Sequence, residues 1–127
     1  MKNFHAHLYF RPDREQAARK LYLAALEVHG TSFDVWKFHA SRVGPHALPM
    51  IELHFNEATE EAAIEWLKQH HSSFSVLIHE DTGNDVRDHL ENVRWLGNPL
   101  PIYFEFFDQV AAHPKFALHQ PTAGTTT

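Results

Sequence analysis

Apolar and polar residues alternate along several short stretches of this chain. The first stretch is Phe4-His-Ala-His-Leu-Tyr-Phe10, and side chains along a β-strand point alternately to its two faces. This pattern predicts a strand with one apolar face and one face that carries His5, His7 and Tyr9. Three later stretches have a similar alternation and predict three further strands: 33–38, 50–55 and 74–79.

Apolar residues with helical spacing follow the first and the third of these strands. Pro12 is well placed at the first position of a helix that ends at Gly30, and Thr59 is placed to cap a second helix. A third, shorter helix is predicted over 84–94, and a final edge strand over 99–107. The order of the main elements is therefore β-α-β-β-α-β, followed by a C-terminal appendage.

This order is that of the ferredoxin-like fold, in the α+β class. Right-handed crossovers give an antiparallel sheet with the strand order 4-1-3-2 and two helices on one face. A short extra helix and an edge segment follow this unit. The length of 127 residues fits one domain. We expect that domain over 1–118, and we expect the small, polar residues 119–127 to be disordered.

Composition argues against several classes of function. The formal net charge is −5 and no basic amphipathic stretch is present, which argues against a nucleic-acid or membrane-surface partner. The absence of cysteine excludes disulfides, thiolate metal sites and a cysteine nucleophile. No apolar run approaches the ~20 residues of a membrane span and no signal peptide is visible, so we expect a cytoplasmic protein. The unusual feature is a content of twelve histidines.

The predicted topology brings several of these histidines together. Strand one lies at the centre of the sheet, and its start carries His5 and His7. This start adjoins the ends of strands three and four, which carry Glu52 and His79. Neighbouring strands are ~4.8 Å apart, so these side chains can reach one point above the sheet. Imidazole and carboxylate groups together suit Zn, Fe, Mn or Ni, and two histidines with one carboxylate suit non-haem Fe(II).

The same alternation also fits a sheet face without chemistry. One face of an antiparallel sheet is commonly hydrated, or it is buried where two ferredoxin-like domains form a dimer. On this interpretation the histidines are surface or interface residues, as we expect for His54. His70 and His71 are expected at the end of a helix, where a cationic side chain suits the helix dipole. The histidines without a partner signal are expected at the surface: His29, His39, His113 and His119.

Six short motifs lie in order along residues 4–103: Phe4-His-Ala-His-Leu-Tyr-Phe10, Gly44-Pro45-His46, Met50-Ile-Glu52, Ser75-Val-Leu-Ile-His79 with Thr82-Gly83, Asp88-His89 and Trp95-Leu96-Gly97. Together they resemble the DOPA 4,5-dioxygenase family of small fungal enzymes and their bacterial relatives. The resemblance implies a non-haem iron enzyme that cleaves a catechol ring by the extradiol route with dioxygen. In the fungal members the substrate is DOPA.

The resemblance also implies roles for individual residues. It places Fe(II), with Zn as a substitute in purified protein, on His7, His79 and Glu52. His5 is a fourth candidate ligand or a supporting residue. The expected catalytic acid and base residues are His46, on the Gly-Pro loop, and His89, on the short helix.

Two positions depart from the family pattern, since Ala47 and Glu80 stand where the family has proline. Both are expected at the rim of the metal cluster, which leaves the identity of the catechol open. The aromatic stretch 102–107 is expected either at the contact of a homodimer or in the edge strand. Two other functions stay open: a non-catalytic ferredoxin-like dimer that binds a metal or a small aromatic ligand, and a Zn-dependent hydrolase.

Overall fold

The sheet of the protein is built around its first strand. In the computed structural model, which describes residues 1–103, the strands are β1 (Asn3–Tyr9), β2 (Asp34–His39), β3 (Met50–Asn56), β4 (Ser75–Glu80) and β5 (Arg94–Leu96). They pair antiparallel in the order β2-β3-β1-β4-β5. The first four strands confirm the predicted order 4-1-3-2 and the α+β class, and β5 extends the sheet beside β4.

Two helices cover one face of the sheet. They are α1 (Glu15–Glu27) and α2 (Glu60–His70). Pro12 opens a 3-10 turn that leads into α1, because its fixed φ suits the first turn of a helix. None of the helices in residues 1–103 is long and apolar enough to cross a membrane. The main core joins these helices to the apolar residues of the strands and their ends: Ala6, Leu8, Phe10, Ile51, Leu53, Phe55, Phe74, Val76 and Ile78.

The opposite face of the sheet is covered along part of its length. A third helix, α3 (Asp85–Leu90), lies over it. In a second apolar cluster, Tyr9, Met50 and Leu77 of the sheet pack with Leu90 of α3 and with Ile102. This is the face on which the alternation of β1 places its histidines, so part of that face is shielded from water.

The third helix ends four residues earlier than the apolar spacing predicted. α3 ends at Leu90, and the following turn contains Asn92 with a positive φ of 56°. The chain then reverses and β5 pairs with β4. Val86, Leu90 and Val93 all pack in the second apolar cluster, although Val93 lies beyond the end of the helix. The same spacing of apolar residues would also arise in a helix that continued to residue 94, so the sequence pattern did not distinguish a short helix with a turn from a longer helix.

The predicted edge strand over 99–107 is described only in part. Within 99–103 the structure has a single isolated bridge, between His46 and Ile102. Other predictions fall outside the described residues: the rest of that strand and of the aromatic stretch, the domain boundary at residue 118, the tail 119–127, and the positions of His113 and His119.

The turn after β5 requires glycine at position 97. Gly97 has a φ of +73°, and a Cβ atom there would lie 3.0 Å from the carbonyl oxygen of Phe74. Gly30 has a similar φ of +84°, but a Cβ atom there would meet nothing within 4 Å. We expect Gly30→Ala to lower the free energy of unfolding by about 1–2 kcal/mol, the cost of a left-handed conformation. Gly97→Ala should cost about 1–3 kcal/mol more because the clash is with backbone.

Urea unfolding followed by circular dichroism measures both effects. Equal destabilisation by the two substitutions would contradict the close approach of the turn to β4.

Candidate metal centre

The register of β1 with its two neighbours brings the ionisable residues of the sheet together. His5 lies opposite His54 of β3 and His79 of β4, and His7 lies opposite Glu52 of β3. Directly paired residues of an antiparallel sheet have their side chains on the same face. This part of the sheet therefore presents four imidazoles and one carboxylate to the same side.

Two further histidines approach from outside the sheet. His46 lies on the loop between β2 and β3, where Gly44 has a positive φ of 56°, and its backbone bridges to Ile102. His89 lies on α3, which is capped by Asn84: the side-chain oxygen of Asn84 accepts a backbone N–H of the first turn at 3.0 Å. Both residues thus have backbone positions that are held independently of the sheet.

Four buried imidazoles, those of His7, His46, His79 and His89, form a central cluster, and each residue is less than one tenth exposed. The Nε2 atoms of His7 and His79 are 2.9 Å apart. The ring centroids of His7 and His46 are 4.3 Å apart, and those of His79 and His89 are 4.4 Å apart. Two triads have ligand atoms within 4.8 Å of one another and are compact enough for one metal ion: His5–His7–His79 and His7–His46–His89.

Backbone carbonyl groups determine the tautomers of two of these rings. Nδ1 of His79 lies 3.0 Å from the carbonyl oxygen of Glu80, and Nδ1 of His89 lies 2.7 Å from that of Asp85. Because a carbonyl oxygen only accepts, Nδ1 carries the hydrogen in both rings and Nε2 carries the lone pair. Such hydrogen bonds orient metal-ligating imidazoles and raise the basicity of the ligand nitrogen.

Burial keeps the central cluster neutral. It lowers the pKa of His46 to about 3 and the pKa of His89 to about 4, and neighbouring imidazoles contribute in the same direction. Burial is also the largest cause of the lowered pKa values of His7 and His79. Metal binding requires the unprotonated imidazole. At neutral pH these rings are therefore in the protonation state that a metal ion needs.

His5 lies between the central cluster and a carboxylate group. Its Nε2 atom is 3.2 Å from a carboxylate oxygen of Asp81, and its ring stacks on the ring of His54 with centroids 3.9 Å apart. His5 belongs to the first of the two triads and also to a third compact group, with Glu52 and His54. It therefore connects the buried imidazoles to the carboxylate of Glu52.

Glu52 lines the same cavity as the predicted ligands His7 and His79. Its hydrogen-bond partners, however, are two other histidines. One carboxylate oxygen accepts a hydrogen bond from Nε2 of His39 at 3.0 Å, and the other accepts one from Nε2 of His54 at 2.6 Å. Burial acts to raise the pKa of Glu52, but the two hydrogen bonds outweigh it and lower the pKa to about 2. Among the described residues Glu52 forms no compact group with His7 and His79, and its role as a ligand stays a prediction.

His39 is a site residue that we expected at the surface, and that expectation was wrong. Its side chain is only 14% exposed and pairs with Glu52. The cause is a bulge in β2, where the register against β3 shifts between Val35 and Lys37. A bulge changes the face to which the following residues point. The bulge could have been inferred from the spacing of Val35 and Phe38. These residues are three positions apart and both pack on the main core, whereas a regular strand would turn them to opposite faces.

All six predicted site residues line one cavity of about 280 Å³, together with His39, Asp81 and Asp85. Ala47 and Glu80, the two positions that depart from the family pattern, are not among the residues that line this cavity. Ala47 lines a second cavity, of about 540 Å³, and Glu80 contributes to the cluster only through the carbonyl group that accepts from His79. Both residues directly follow histidines that line the first cavity, and their position at the rim of the metal cluster stays a prediction.

Comparison with known protein sequences identifies the family of this chain. The model of the Dopa 4,5-dioxygenase family matches residues 4–106. An uncharacterized 21.2 kDa protein of Botryotinia fuckeliana is 29% identical over 110 residues, which are 78% of this chain and 60% of that protein. The DOPA 4,5-dioxygenase of Amanita muscaria is 25% identical over 109 residues, which are 80% of this chain and 48% of that enzyme. The chain thus spans about half to three fifths of the length of these relatives.

A crystal structure has the same fold. It is that of a protein from Nostoc punctiforme which is provisionally described as a dioxygenase. The two structures superpose with a TM-score of 0.70 at 29% sequence identity, and the match covers 87% of this chain and 94% of the other. The family match extends over most of the chain and includes every predicted site residue. We conclude that this protein belongs to the Dopa 4,5-dioxygenase family.

Proposed function

We propose that this protein is an extradiol dioxygenase that opens the ring of a catechol such as DOPA with dioxygen. The observation that carries the proposal is the pair His7 and His79, whose Nε2 atoms lie 2.9 Å apart in a cavity that all the predicted site residues line. Membership of the family supports the type of reaction. DOPA is the substrate named for the Amanita muscaria relative. For this protein we give DOPA only as an example of the proposed substrate class, the catechols.

The donors of this cavity fit non-haem Fe(II). Neutral imidazoles suit iron as well as zinc, and an ionised carboxylate nearby offsets the charge of the ion. We propose His7, His79 and His5 as the residues that hold it, with Glu52 as the neighbouring carboxylate. A bound Fe(II) ion would orient catechol and dioxygen and lower the pKa of the catechol hydroxyls.

Other residues of the cavity complete the proposed site. His89 turns the lone pair of Nε2 toward the cluster because its Nδ1 hydrogen is held by the Asp85 carbonyl group, so it is suited to accept a proton from a catechol hydroxyl. His46 lines the same cavity and lies on the loop between β2 and β3. The four imidazoles of the central cluster are buried, which strengthens their electrostatic interactions.

The proposed partners are a catechol and dioxygen. A second copy of the chain is a further predicted partner through the stretch 102–107, most of which lies outside the described residues. The homodimer and the cytoplasmic location rest on the sequence alone.

Oxygen consumption tests the proposed reaction. Protein loaded anaerobically with Fe(II) and then mixed with DOPA or catechol in air is expected to consume equal amounts of dioxygen and catechol. The expected product is a yellow, ring-opened semialdehyde, followed by its absorbance, and metal-free protein is the control. No oxygen uptake over a broad panel of catechols, together with tight Zn(II) binding, would instead favour a non-catalytic metal-binding module.

Metal affinity tests the assignment of His7 and His79. His7→Ala and His79→Ala are each expected to weaken Fe(II) binding by at least about 100-fold, the upper end of the cost of losing a supporting residue at a metal site. His70→Ala is the control, since His70 is exposed at the end of α2 and bonds to a carbonyl group of its own helix. Anaerobic calorimetry measures the affinities. A His7→Ala variant with stoichiometric iron and normal turnover would remove His7 from the ligand set.

The two compact triads differ in their expected response to substitution. His5→Ala is expected to lose Fe(II), because His5 belongs to the proposed ligand triad. His46→Ala is expected to retain Fe(II) and to lower kcat by about 100-fold or more, because His46 acts on the substrate. Iron content and steady-state kinetics measure both effects. Loss of iron from His46→Ala with retention by His5→Ala would assign the ion to the other triad.

A further inference from the structure

Tyr9 holds the ring of His46. The Tyr9 hydroxyl oxygen lies 2.6 Å from Nδ1 of His46, and Tyr9 is only 2% exposed. The Tyr9 ring stacks on Trp95 with centroids 5.9 Å apart and packs in the same apolar cluster as Met50 and Leu77. This packing fixes the position of the hydroxyl group. His46 lies on a loop, but its ring is thus oriented by a residue of the central strand.

The direction of this hydrogen bond follows from the groups available. A tyrosine hydroxyl has one hydrogen to donate, and a neutral imidazole has one N–H and one lone pair. Within the described part of the chain, Nδ1 of His46 is the only hydrogen-bond partner of the Tyr9 hydroxyl. A buried hydroxyl that donates to nothing is unfavourable because it has lost its water partner. The hydroxyl therefore donates to Nδ1, and the hydrogen of the His46 ring lies on Nε2.

The tautomer of His46 is then opposite to the tautomers of His79 and His89. His79 and His89 donate their Nδ1 hydrogens to carbonyl groups and turn lone pairs toward the cluster, whereas His46 turns an N–H toward it. The cavity therefore presents the N–H group of His46 beside the lone pairs of His79 and His89.

We propose that Tyr9 is a positioning residue that fixes His46 as a neutral hydrogen-bond donor to a substrate oxygen. The catalytic part of this inference rests on the proposed function, because it assigns His46 a role in that reaction. A positioned N–H of a buried imidazole stabilises negative charge that develops on an oxygen atom, without transferring its proton. This role differs from the acid and base role that the family resemblance implies for His46.

Nitrogen NMR tests the tautomer directly. Long-range proton–nitrogen correlation spectra of nitrogen-15-labelled protein distinguish a ring nitrogen with a lone pair from one with a hydrogen. The spectra are recorded without metal and with diamagnetic Zn(II), and a His46→Gln variant identifies the His46 signals. The expected result is a lone pair on Nδ1 and a hydrogen on Nε2 in both forms. The opposite tautomer overturns the proposal, whatever the activity of the protein.

The Tyr9→Phe variant tests the consequence for the reaction. It removes the hydroxyl group and keeps the ring that stacks on Trp95. We expect a mixture of His46 tautomers, unchanged Fe(II) affinity and KM, and a kcat lower by about 10- to 100-fold, the range for loss of an imidazole-orienting partner at metal sites. Tyr22→Phe is the matched control, because it loses the same atom from a ring that packs against Phe38 on the helix-covered face.

The outcomes separate this inference from the proposed function. Equal kcat values for Tyr9→Phe and Tyr22→Phe overturn the proposed effect of the positioning residue Tyr9 on the reaction. If no form of the protein consumes oxygen with any catechol, the proposed function fails. In that case the nitrogen spectra of the wild type and of Tyr9→Phe still decide whether Tyr9 sets the tautomer of His46.

Discussion

The pairing of β1 with both β3 and β4 is the constraint on which the candidate site depends. Because β1 is the central strand, two histidines two residues apart point to one side and meet side chains from both neighbours. The same pairing holds Nε2 of His7 within 2.9 Å of Nε2 of His79. A shift of either register by one residue would turn the histidines of one strand away from those of the other. The geometry of the candidate metal site is thus a property of the sheet.

Two elements outside the sheet, α3 and the loop between β2 and β3, pack on this face and complete the candidate site. The exposed face of an antiparallel sheet is commonly hydrated, but here α3 and the loop after β2 place His89 and His46 over the central strand. The loss of water keeps the imidazoles neutral and strengthens hydrogen bonds inside the cavity. Each covering ring is oriented through its Nδ1 atom, His89 by the Asp85 carbonyl group and His46 by the Tyr9 hydroxyl group. The cavity thus presents both lone pairs and, in our proposal, an N–H.

The site also divides into a neutral and a charged part. The buried imidazoles of the central cluster carry no charge at neutral pH, whereas Glu52 is ionised because His39 and His54 donate hydrogen bonds to it. His5 lies between the two parts and belongs to a compact group in each. A divalent ion in the central cluster would therefore have a negative charge close by without displacing the two hydrogen bonds.

Alternation and element order predicted those parts of the site that regular strands determine. β1, β3 and β4 pair without irregularity, so the common face of His5, His7 and His79 could be derived from the sequence. β2 contains a bulge, and no two-residue period could place His39 beside Glu52. The positions of α3 and of the loop between β2 and β3 depend on tertiary packing, since apolar spacing left the end of α3 undetermined. His46 was identified through the family resemblance, and its bond to Tyr9 required the structure.

A crystal structure of the protein loaded with Zn(II) or Fe(II), with the ion located by anomalous scattering, decides whether the central strand and its neighbours build a metal site. The proposed site predicts one ion bound by Nε2 of both His7 and His79, at about 2.0–2.1 Å for zinc. An ion bound by Glu52, His39 and His54, with the rings of His7 and His79 still in contact with each other, would contradict it.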